Sequence, residues 1–168
     1  MPLCHMIYVS RAAPWYARLK NFEMKLSQLS SVAAKANQGR GVTGLLLYNA
    51  GHFLQVLEGE REAVDLLFQK IRIDMRHEEI TRLAYYPIKE RVFERWNMGL
   101  LDFSAQADLD PAVFEDSLAD LRNAAYGGAT TVRSAVLKLL RTFQSYDECR
   151  EVVPSALRSE RLIVAHPC

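Results

Sequence analysis

The chain has 168 residues, 49% of them hydrophobic, and a formal net charge of +1 from 21 basic and 20 acidic side chains. That length suits one domain with its own core plus an appendage, and the balanced charge argues against a nucleic-acid binder that relies on a basic surface. No apolar run approaches the roughly 18 residues of a membrane helix, so we expect a soluble, cytoplasmic protein without a membrane or nucleic-acid partner.

The first half of the chain alternates between strand and helix patterns. Residues 3–10, "LCHMIYVS", alternate as a strand, and from about residue 19 to residue 38 apolar side chains recur at helical spacing. Gly39 and Gly41 end that helix. "VTGLLLYN" and "HFLQVLE" are two strands joined by the short turn "AG", which predicts a hairpin.

A second helix is predicted from about residue 62 to residue 76. The stretch "ITRLAYYPI" is a fourth strand closed by Pro87, and "WNMGLLDF" a fifth. The order β-α-β-β-α-β-β is the ferredoxin-like pattern with one added strand. We therefore predict an α+β fold with a five-stranded sheet, two helices on one face, and strands one and three side by side.

The remaining residues predict a helical extension. "AQADLDP" (105–111) has the composition of a linker that ends in a helix start, followed by a helix to about residue 126 and an amphipathic helix over 131–143. We divide the chain into a domain at 1–104 and an extension at 105–168. The extension either caps the open face of the sheet or meets another subunit or a partner.

The cysteines and histidines do not form a metal-binding pattern. Cys4, Cys149 and Cys168 are widely spaced and odd in number, and the four histidines show no zinc-ligand spacing. Unpaired thiols in a reducing cytoplasm, and no metal site, are the expectation.

The stretch "GRGVTG" (39–44) matches G-x-G-x-x-G, the spacing of a dinucleotide fingerprint. That motif requires a strand, then the glycines, then a helix whose N-terminus meets the phosphate. Here the glycines leave a helix and enter a strand. We interpret all three as turn residues.

The stretch "RIDMRH" (72–77) places three basic residues at the predicted end of the second helix. Arg76 and His77 suit the negative end of the helix dipole. Asp74 does not, and we expect it on the helical face that carries Ile71. An aspartate there indicates a polar group lying alongside the helix.

Gln55 is a primary amide in the middle of an otherwise apolar strand, where an unpaired amide costs about 1–3 kcal/mol. Tyr8 alternates onto the matching face of the neighbouring strand, so its hydroxyl is a natural partner. Asn37, Trp96 and Met98 converge on the same region. This set is either a satisfied structural cluster or a pocket for a flat ligand with several hydrogen bonds.

These segments together resemble a known family. "LCHMIYVS", "GVTGLLLYNAGHFLQVLEGE", "DMRH" and "RWNMGL" are similar to the BLUF domain, a blue-light sensor that uses FAD, over roughly residues 3–104. The resemblance implies FAD, with FMN or riboflavin as substitutes, bound between the two helices. Seven residues are implied as cofactor-binding: Leu29, Ile71, Asn37, Gln55, Asp74, Arg76 and His77. Leu29 and Ile71 sandwich the ring, Asn37 bonds its pyrimidine edge, and the last three lie near the ribityl and phosphate end.

The resemblance also implies a photochemical mechanism and no enzymatic activity. The excited flavin takes an electron and a proton from Tyr8. Their return leaves Gln55 rearranged, by rotation or tautomerisation, so that it donates to the flavin C4 carbonyl and shifts the absorption to the red. Trp96 and Met98 pass the change outward. Residues after 104 are too few for a cyclase or phosphodiesterase domain, so a separate downstream signalling protein and a homo-oligomer are implied.

The sequence departs from the BLUF pattern at two positions, and two other functions were considered. Ala33 and Ala36 stand where many members carry polar side chains, which predicts weaker or differently tuned flavin retention. A hydrolase of the acylphosphatase type would need an anion loop after the first strand, and Arg11 there lacks a glycine-rich cradle. A regulatory module that has lost flavin or its photoswitch is the second alternative.

Overall fold

The computed structural model describes residues 2–94, 97–102 and 111–126, together with the isolated positions 134, 135 and 138. The elements are β1 (Leu3–Ala12), α1 (Pro14–Ala17), α2 (Phe22–Gln38), β2 (Thr43–Asn49), β3 (His52–Glu60), α3 (Arg61–Arg72), β4 (His77–Ile88), β5 (Gly99–Asp102) and α4 (Pro111–Tyr126). The predicted order of strands and helices is confirmed, with the one-turn helix α1 in addition.

The five strands form one sheet in the order β4-β1-β3-β2-β5. β1 pairs antiparallel with both β3 and β4, and β3 pairs antiparallel with β2. These four strands have the ferredoxin-like arrangement, in which the first and third strands are neighbours, and β5 is added parallel to β2. The predicted α+β, ferredoxin-like fold is therefore confirmed.

The central strands are apolar on both faces of the sheet. On one face, Met6, Tyr8 and Leu57 pack with Leu26 of α2 and Val64 of α3. The residues that alternate with these along the strands point to the other face, where their side chains are at most 1% exposed: Ile7, Val9, Leu45, Leu47 and Val56. α4 packs against β4. The sheet is thus buried on both sides, as its continuous apolar runs require.

The turn between β2 and β3 sets the register of the hairpin. Asn49 pairs with His52, so Ala50 and Gly51 form a two-residue loop. Their φ angles are 47° and 83°, the positive values that a type I′ turn needs. The predicted tight turn is confirmed, and its register places Leu46 opposite Gln55.

The interpretation of "GRGVTG" as three turn residues is wrong for Gly44. Gly39 caps α2 and Gly41 has a φ of +62°, but Gly44 lies inside β2. A Cβ at this position would come 2.0 Å from the carbonyl oxygen of Val56 on β3. Two glycines therefore end a helix, and the third lets the neighbouring strand approach closely.

The helix α3 ends earlier than the sequence pattern predicts. Ile73 follows its last residue, so Asp74 does not lie on a helical face with Ile71, and Arg76 is not in the last helical turn. His77 already belongs to β4. Polar residues continue the helical spacing for another turn, and no glycine or proline marks the end of the helix. The sequence pattern therefore predicts a helix that is too long.

Several predictions concern the C-terminal third of the chain. β5 begins at Gly99, so Met98 precedes the strand instead of belonging to it, and Trp96 lies outside the described residues. The helix predicted to reach about residue 126 is α4. Of the helix predicted over 131–143, the three described positions are helical. The linker, Cys149 and Cys168 lie outside the description, and Cys4 is a buried free thiol.

Candidate functional site

Tyr8 and Gln55 face each other on two neighbouring strands near the centre of the sheet. β1 and β3 pair with these two residues directly opposite, and the Tyr8 hydroxyl donates a hydrogen bond to Gln55 Oε1. Tyr8 is 0% exposed and Gln55 is 6% exposed. The hydrogen bond expected from the alternation of the two strands is present.

The Tyr8 phenol keeps its proton in this setting. Burial raises the pKa of Tyr8 well above its usual range, and the nearby carboxylate of Asp74 raises it further. At neutral pH the hydroxyl is therefore a hydrogen-bond donor, and the carbonyl oxygen of Gln55 is its acceptor.

The amide nitrogen of Gln55 contacts the segment that leads into β5. Gln55 Nε2 donates to Met98 Sδ at 3.1 Å, and sulfur is a weak acceptor. The same segment is held by α2, because Asn37 Nδ2 donates to the backbone oxygen of Asn97 at 3.0 Å. Residues 97–98 therefore contact both the photochemical candidate on β3 and the end of α2.

A cavity of about 250 Å³ lies between α2 and α3 above Tyr8 and Gln55. Leu29 from α2 and Ile71 from α3 supply apolar walls. Every predicted cofactor-binding residue lines this cavity: Leu29, Asn37, Gln55, Ile71, Asp74, Arg76 and His77. Met98 reaches the site through Gln55. Ala33 and Ala36 also line the cavity, so their small side chains leave room on the α2 side.

Asp74 and Arg76 form an ion pair at the edge of the cavity. Arg76 Nε donates to both carboxylate oxygens, at 2.9 and 3.0 Å, and the backbone nitrogen of Arg76 donates to Oδ1 at 3.0 Å. Burial would raise the pKa of Asp74, but the hydrogen bonds and charge of Arg76 outweigh it and lower that pKa. The turn after α3 thus holds one anionic and one cationic group in a fixed geometry.

His77 closes the cavity beside the photochemical pair. Its Nδ1 lies 3.1 Å from Ser10 Oγ, and its ring packs edge-on against Phe53 at a centroid distance of 5.6 Å. Burial lowers the pKa of His77, although the charge of Asp74 opposes this. The imidazole is therefore neutral at pH 7.

The lowered pKa of His77 predicts a pH-dependent stability. As the pH falls through 6.5, the unfolded chain binds a proton that folded His77 resists, so the free energy of unfolding decreases. The His77→Gln variant has no imidazole at this position to bind the proton. Its free energy of unfolding, measured by urea titration, should therefore decrease less than that of the wild-type protein between about pH 7.5 and about pH 5.5. Equal decreases in both proteins would contradict the prediction. Asp74 does not interfere, because its stabilising effect is lost only below pH 3.8.

Glu58 is a buried charge that the sequence analysis missed. It is 0% exposed and lies on the sheet face opposite the cavity. Glu58 Oε1 lies 2.7 Å from His5 Nδ1, and Oε2 accepts hydrogen bonds from the backbone nitrogens of Val92 and Phe93 at 2.9 and 2.8 Å. A polar residue in an apolar strand was the signal that singled out Gln55, and it applied equally to Glu58.

The connection between β4 and β5 is therefore tied to the sheet at one end. Arg91 reinforces this tie, since its guanidinium donates to Thr43 Oγ1 at 2.9 Å and to the backbone oxygens of Glu58 and Gly41 at 3.0 and 2.6 Å. The connection leads directly to residues 97–98. Glu58 and Arg91 therefore hold the start of this connection, residues 91–93, against β2 and β3.

Replacing Glu58 by glutamine should destabilise the fold. The amide offers one neutral oxygen where the carboxylate offers two charged ones, so the His5 contact or the backbone contacts are weakened in a buried place. We expect a loss of about 1–3 kcal/mol in the free energy of unfolding at pH 7. The control is Glu79→Gln, a 60% exposed carboxylate paired with Arg11, which should cost at most about 1 kcal/mol. Equal losses in the two variants would refute the assigned role of Glu58.

Other chemistries find less support in the described residues. Arg11, the residue that a hydrolase of the acylphosphatase type would place in an anion loop, lies on β1 and donates to Glu79 at 3.1 Å. No group of three metal-ligating side chains occurs within residues 2–94, 97–102 and 111–126. No helix in the same ranges is long and apolar enough to cross a membrane.

The residues of the cavity fit a flavin. Aliphatic side chains on two helices can enclose a flat ring, and the amides of Asn37 and Gln55 each offer a donor and an acceptor, as the edge of a flavin ring does. Lys70 and Arg76 supply positive charge for a phosphate. The fold and the site thus define a ferredoxin-like domain with a cavity between two helices, above a buried tyrosine–glutamine pair.

Comparison with known proteins identifies the family to which this domain is similar. A family model described as "BLUF: Sensors of blue-light using FAD" matches residues 3–99. The photoactivated adenylate cyclase subunit alpha of Euglena gracilis is 33% identical over 141 residues, which cover 82% of this chain and 13% of that protein. The blue light- and temperature-regulated antirepressor BluF of Escherichia coli (strain K12) is 31% identical over 71% of this chain and 28% of its own length.

Solved structures agree with this assignment. The dark-state structure of BlrB, a BLUF protein, has a TM-score of 0.60 and 34% identity, and the match covers 70% of this chain and 86% of that chain. A bacterial light-regulated adenylyl cyclase matches with a TM-score of 0.59 and 32% identity, over 73% of this chain and 34% of that chain.

The chain belongs to the BLUF family of flavin-dependent blue-light sensors. The matched residues are thus a sensor domain of the kind that the family description names. The chain spans about an eighth of the length of the cyclase subunit that it resembles, so the cyclase activity in that name belongs to that protein.

Proposed function

We propose that this chain is a blue-light photoreceptor that binds FAD between α2 and α3 and signals to a separate protein. The sensor domain is residues 1–104, and residues 105–168 are the extension that transmits the signal. The observation that carries the proposal is the buried hydrogen bond from Tyr8 to Gln55 in the wall of the cavity, within a domain of the BLUF family.

Binding of the flavin is assigned to seven side chains. Leu29 and Ile71 would pack on the two faces of the ring, Asn37 would bond its pyrimidine edge, and Gln55 would lie beside its C4 carbonyl. Three further residues lie along the ribityl and phosphate end: Asp74, Arg76 and His77. This assignment is supported by the presence of all seven in one cavity wall.

The photochemistry is assigned to Tyr8 and Gln55. A flavin bound here would, when excited by blue light, accept an electron and a proton. Tyr8 would supply both, the proton from its phenolic hydroxyl, and both would return to Tyr8 afterwards. Gln55, which accepts the hydrogen bond of that hydroxyl, would be left rotated or tautomerised so that it could donate to the flavin C4 carbonyl, and this extra hydrogen bond would lower the energy of the absorption.

Rotation of Gln55 also explains how the change leaves the site. In the structure the amide donates to Met98 Sδ. A rotated amide would direct its carbonyl oxygen at the same sulfur, and two acceptors cannot bond. Met98 then has to move, and residues 97–98 lead straight into β5. Trp96, two positions earlier, shares in this response.

The receiver of the signal is proposed to be a protein partner in trans, with self-association of the chain into a homo-oligomer. The name of the E. coli relative, an antirepressor, supports action on another protein. Sedimentation of the purified protein in darkness and under blue light tests the self-association. A single unchanged monomer in both conditions would remove self-association from the proposal.

The absorption spectrum of the purified protein tests the function. A flavin spectrum that shifts to the red under blue light and returns in darkness is the expected result. A flavin spectrum without a shift would mean that the cavity binds the cofactor but the Tyr8–Gln55 pair does not switch. No flavin, even after reconstitution with FAD, would leave a flavin-free ferredoxin-like module.

A further inference from the structure

The one-turn helix α1 carries an exposed tryptophan that the photochemistry does not use. The Trp15 side chain is 55% exposed, although a large aromatic side chain normally seeks burial. Its ring is nevertheless held in place, because Trp15 Nε1 donates to the backbone oxygen of Met75 at 3.2 Å and the ring packs edge-on against Tyr16 at 5.6 Å. An ordered, exposed indole is a surface on which a flat group can stack.

This indole lies beside the mouth of the flavin cavity. The Trp15 indole is hydrogen-bonded to the backbone of Met75, and Met75 lies between Asp74 and Arg76 in the sequence. Asp74 and Arg76 both line the cavity. The start of α1 is tied to the same turn, since the backbone nitrogen of Ala13 donates to the backbone oxygen of Arg76 at 2.9 Å. The Met75 side chain is 81% exposed and extends the apolar surface.

Two cationic side chains of the cavity wall suit a phosphate linker. Lys70 and Arg76 both line the cavity and carry positive charge, and the pKa of Arg76 is raised by its hydrogen bonds to Asp74, which keeps it charged. A ligand that leaves the cavity at this turn therefore passes cations first and the exposed indole next. FAD has the matching order of flavin, diphosphate and adenine, whereas FMN and riboflavin end before the adenine.

From this arrangement we infer that Trp15, supported by Met75, is the binding site for the adenine of FAD. The site makes the chain selective for FAD over FMN and riboflavin. The inference rests on the proposed flavin binding between α2 and α3, but it concerns a different part of the cofactor. Bases stack on tryptophan whatever their identity, so an indole at this place needs no further polar contacts to bind adenine.

Titration of the flavin-free protein with FAD, FMN and riboflavin tests the inference. The wild-type chain should bind FAD about tenfold more tightly than FMN, which has a phosphate but no adenine, a difference of about 1.4 kcal/mol. Trp15→Ala should remove that advantage and leave the affinities for FMN and riboflavin unchanged. Trp15→Phe, which keeps an aromatic face, should retain most of it. The matched control is Tyr126→Ala on α4, a 94% exposed aromatic that does not line the cavity.

Three results would overturn the inference. The first is equal affinity of the wild-type chain for FAD and FMN, and the second is an equal loss for all three flavins in Trp15→Ala, which would reveal a structural role. In both cases flavin binding itself would still stand. The third is no binding of any flavin by the wild-type chain, which would overturn the proposed function as well.

Discussion

The Gln55→Leu variant is expected to bind flavin and to lose the light-induced red shift completely. Leucine cannot donate to the C4 carbonyl and cannot accept the proton of Tyr8, so both ends of the switch are removed. The cavity walls remain, because Leu29, Asn37 and Ile71 are untouched. The measurement is the difference spectrum between dark and illuminated protein, recorded after the flavin content of variant and wild type has been matched.

Two further variants define what this result means. Asn49→Leu makes the same change, amide to aliphatic, at a buried position of β2 outside the cavity wall, and should keep a full red shift. Tyr8→Phe removes only the hydroxyl and should abolish the shift as Gln55→Leu does. A normal shift in Gln55→Leu would refute the role of Gln55 as the switch. Loss of the shift in Asn49→Leu would show that the assay reports general damage to the sheet.

Gly44→Ala is expected to be the most destabilising small substitution in the sheet. The new Cβ would come 2.0 Å from the carbonyl oxygen of Val56, so β2 and β3 have to separate near the Gly44–Leu57 pair, two positions from the pair of Leu46 and Gln55. Separation of two central strands breaks ladder hydrogen bonds and packing together, and we expect a loss of about 3 kcal/mol or more. Urea denaturation of the flavin-free variant measures it.

Gly41→Ala is the matched control for this prediction. Gly41 has a φ of +62°, which strains an alanine, but its Cβ would meet no atom within 4 Å. The cost should therefore be the backbone strain alone, about 1–2 kcal/mol. If Gly44→Ala cost no more than Gly41→Ala, close approach of β3 would not be the reason for a glycine at position 44.

The parts of the fold with strict local rules could be predicted from the sequence. Alternation placed Tyr8 and Gln55 on matching faces, and the adjacency of strands one and three in a ferredoxin-like order brought them together. The pair Ala50 and Gly51 stood between two apolar strands, which is the spacing of a two-residue hairpin. These features depend on period and topology, and both can be read from one sequence.

The parts that depend on contacts between distant residues could not be predicted. Asp74 was placed on a helix because nothing in its sequence marks the end of α3 after Arg72, and the turn is instead held by its bonds to Arg76. Gly44 needed the position of Val56 on another strand. Glu58 interrupts the same apolar strand as Gln55 and so could have been singled out, but its backbone partners at Val92 and Phe93 are revealed by no side-chain pattern.

The place of β1 and β3 in the sheet has a consequence for the dynamics of the sensor. Each has a hydrogen-bonded strand on both sides, whereas β4 and the four-residue β5 form the two edges of the described sheet. Local fraying begins at edges, and release of amide hydrogens from central strands requires the sheet to come apart. Hydrogen exchange at Tyr8 and Gln55 should therefore follow global unfolding, while β5 exchanges through small local openings. The central strands thereby keep Tyr8 and Gln55 at a constant separation, whereas the edge strand β5, which follows Met98, is free to move.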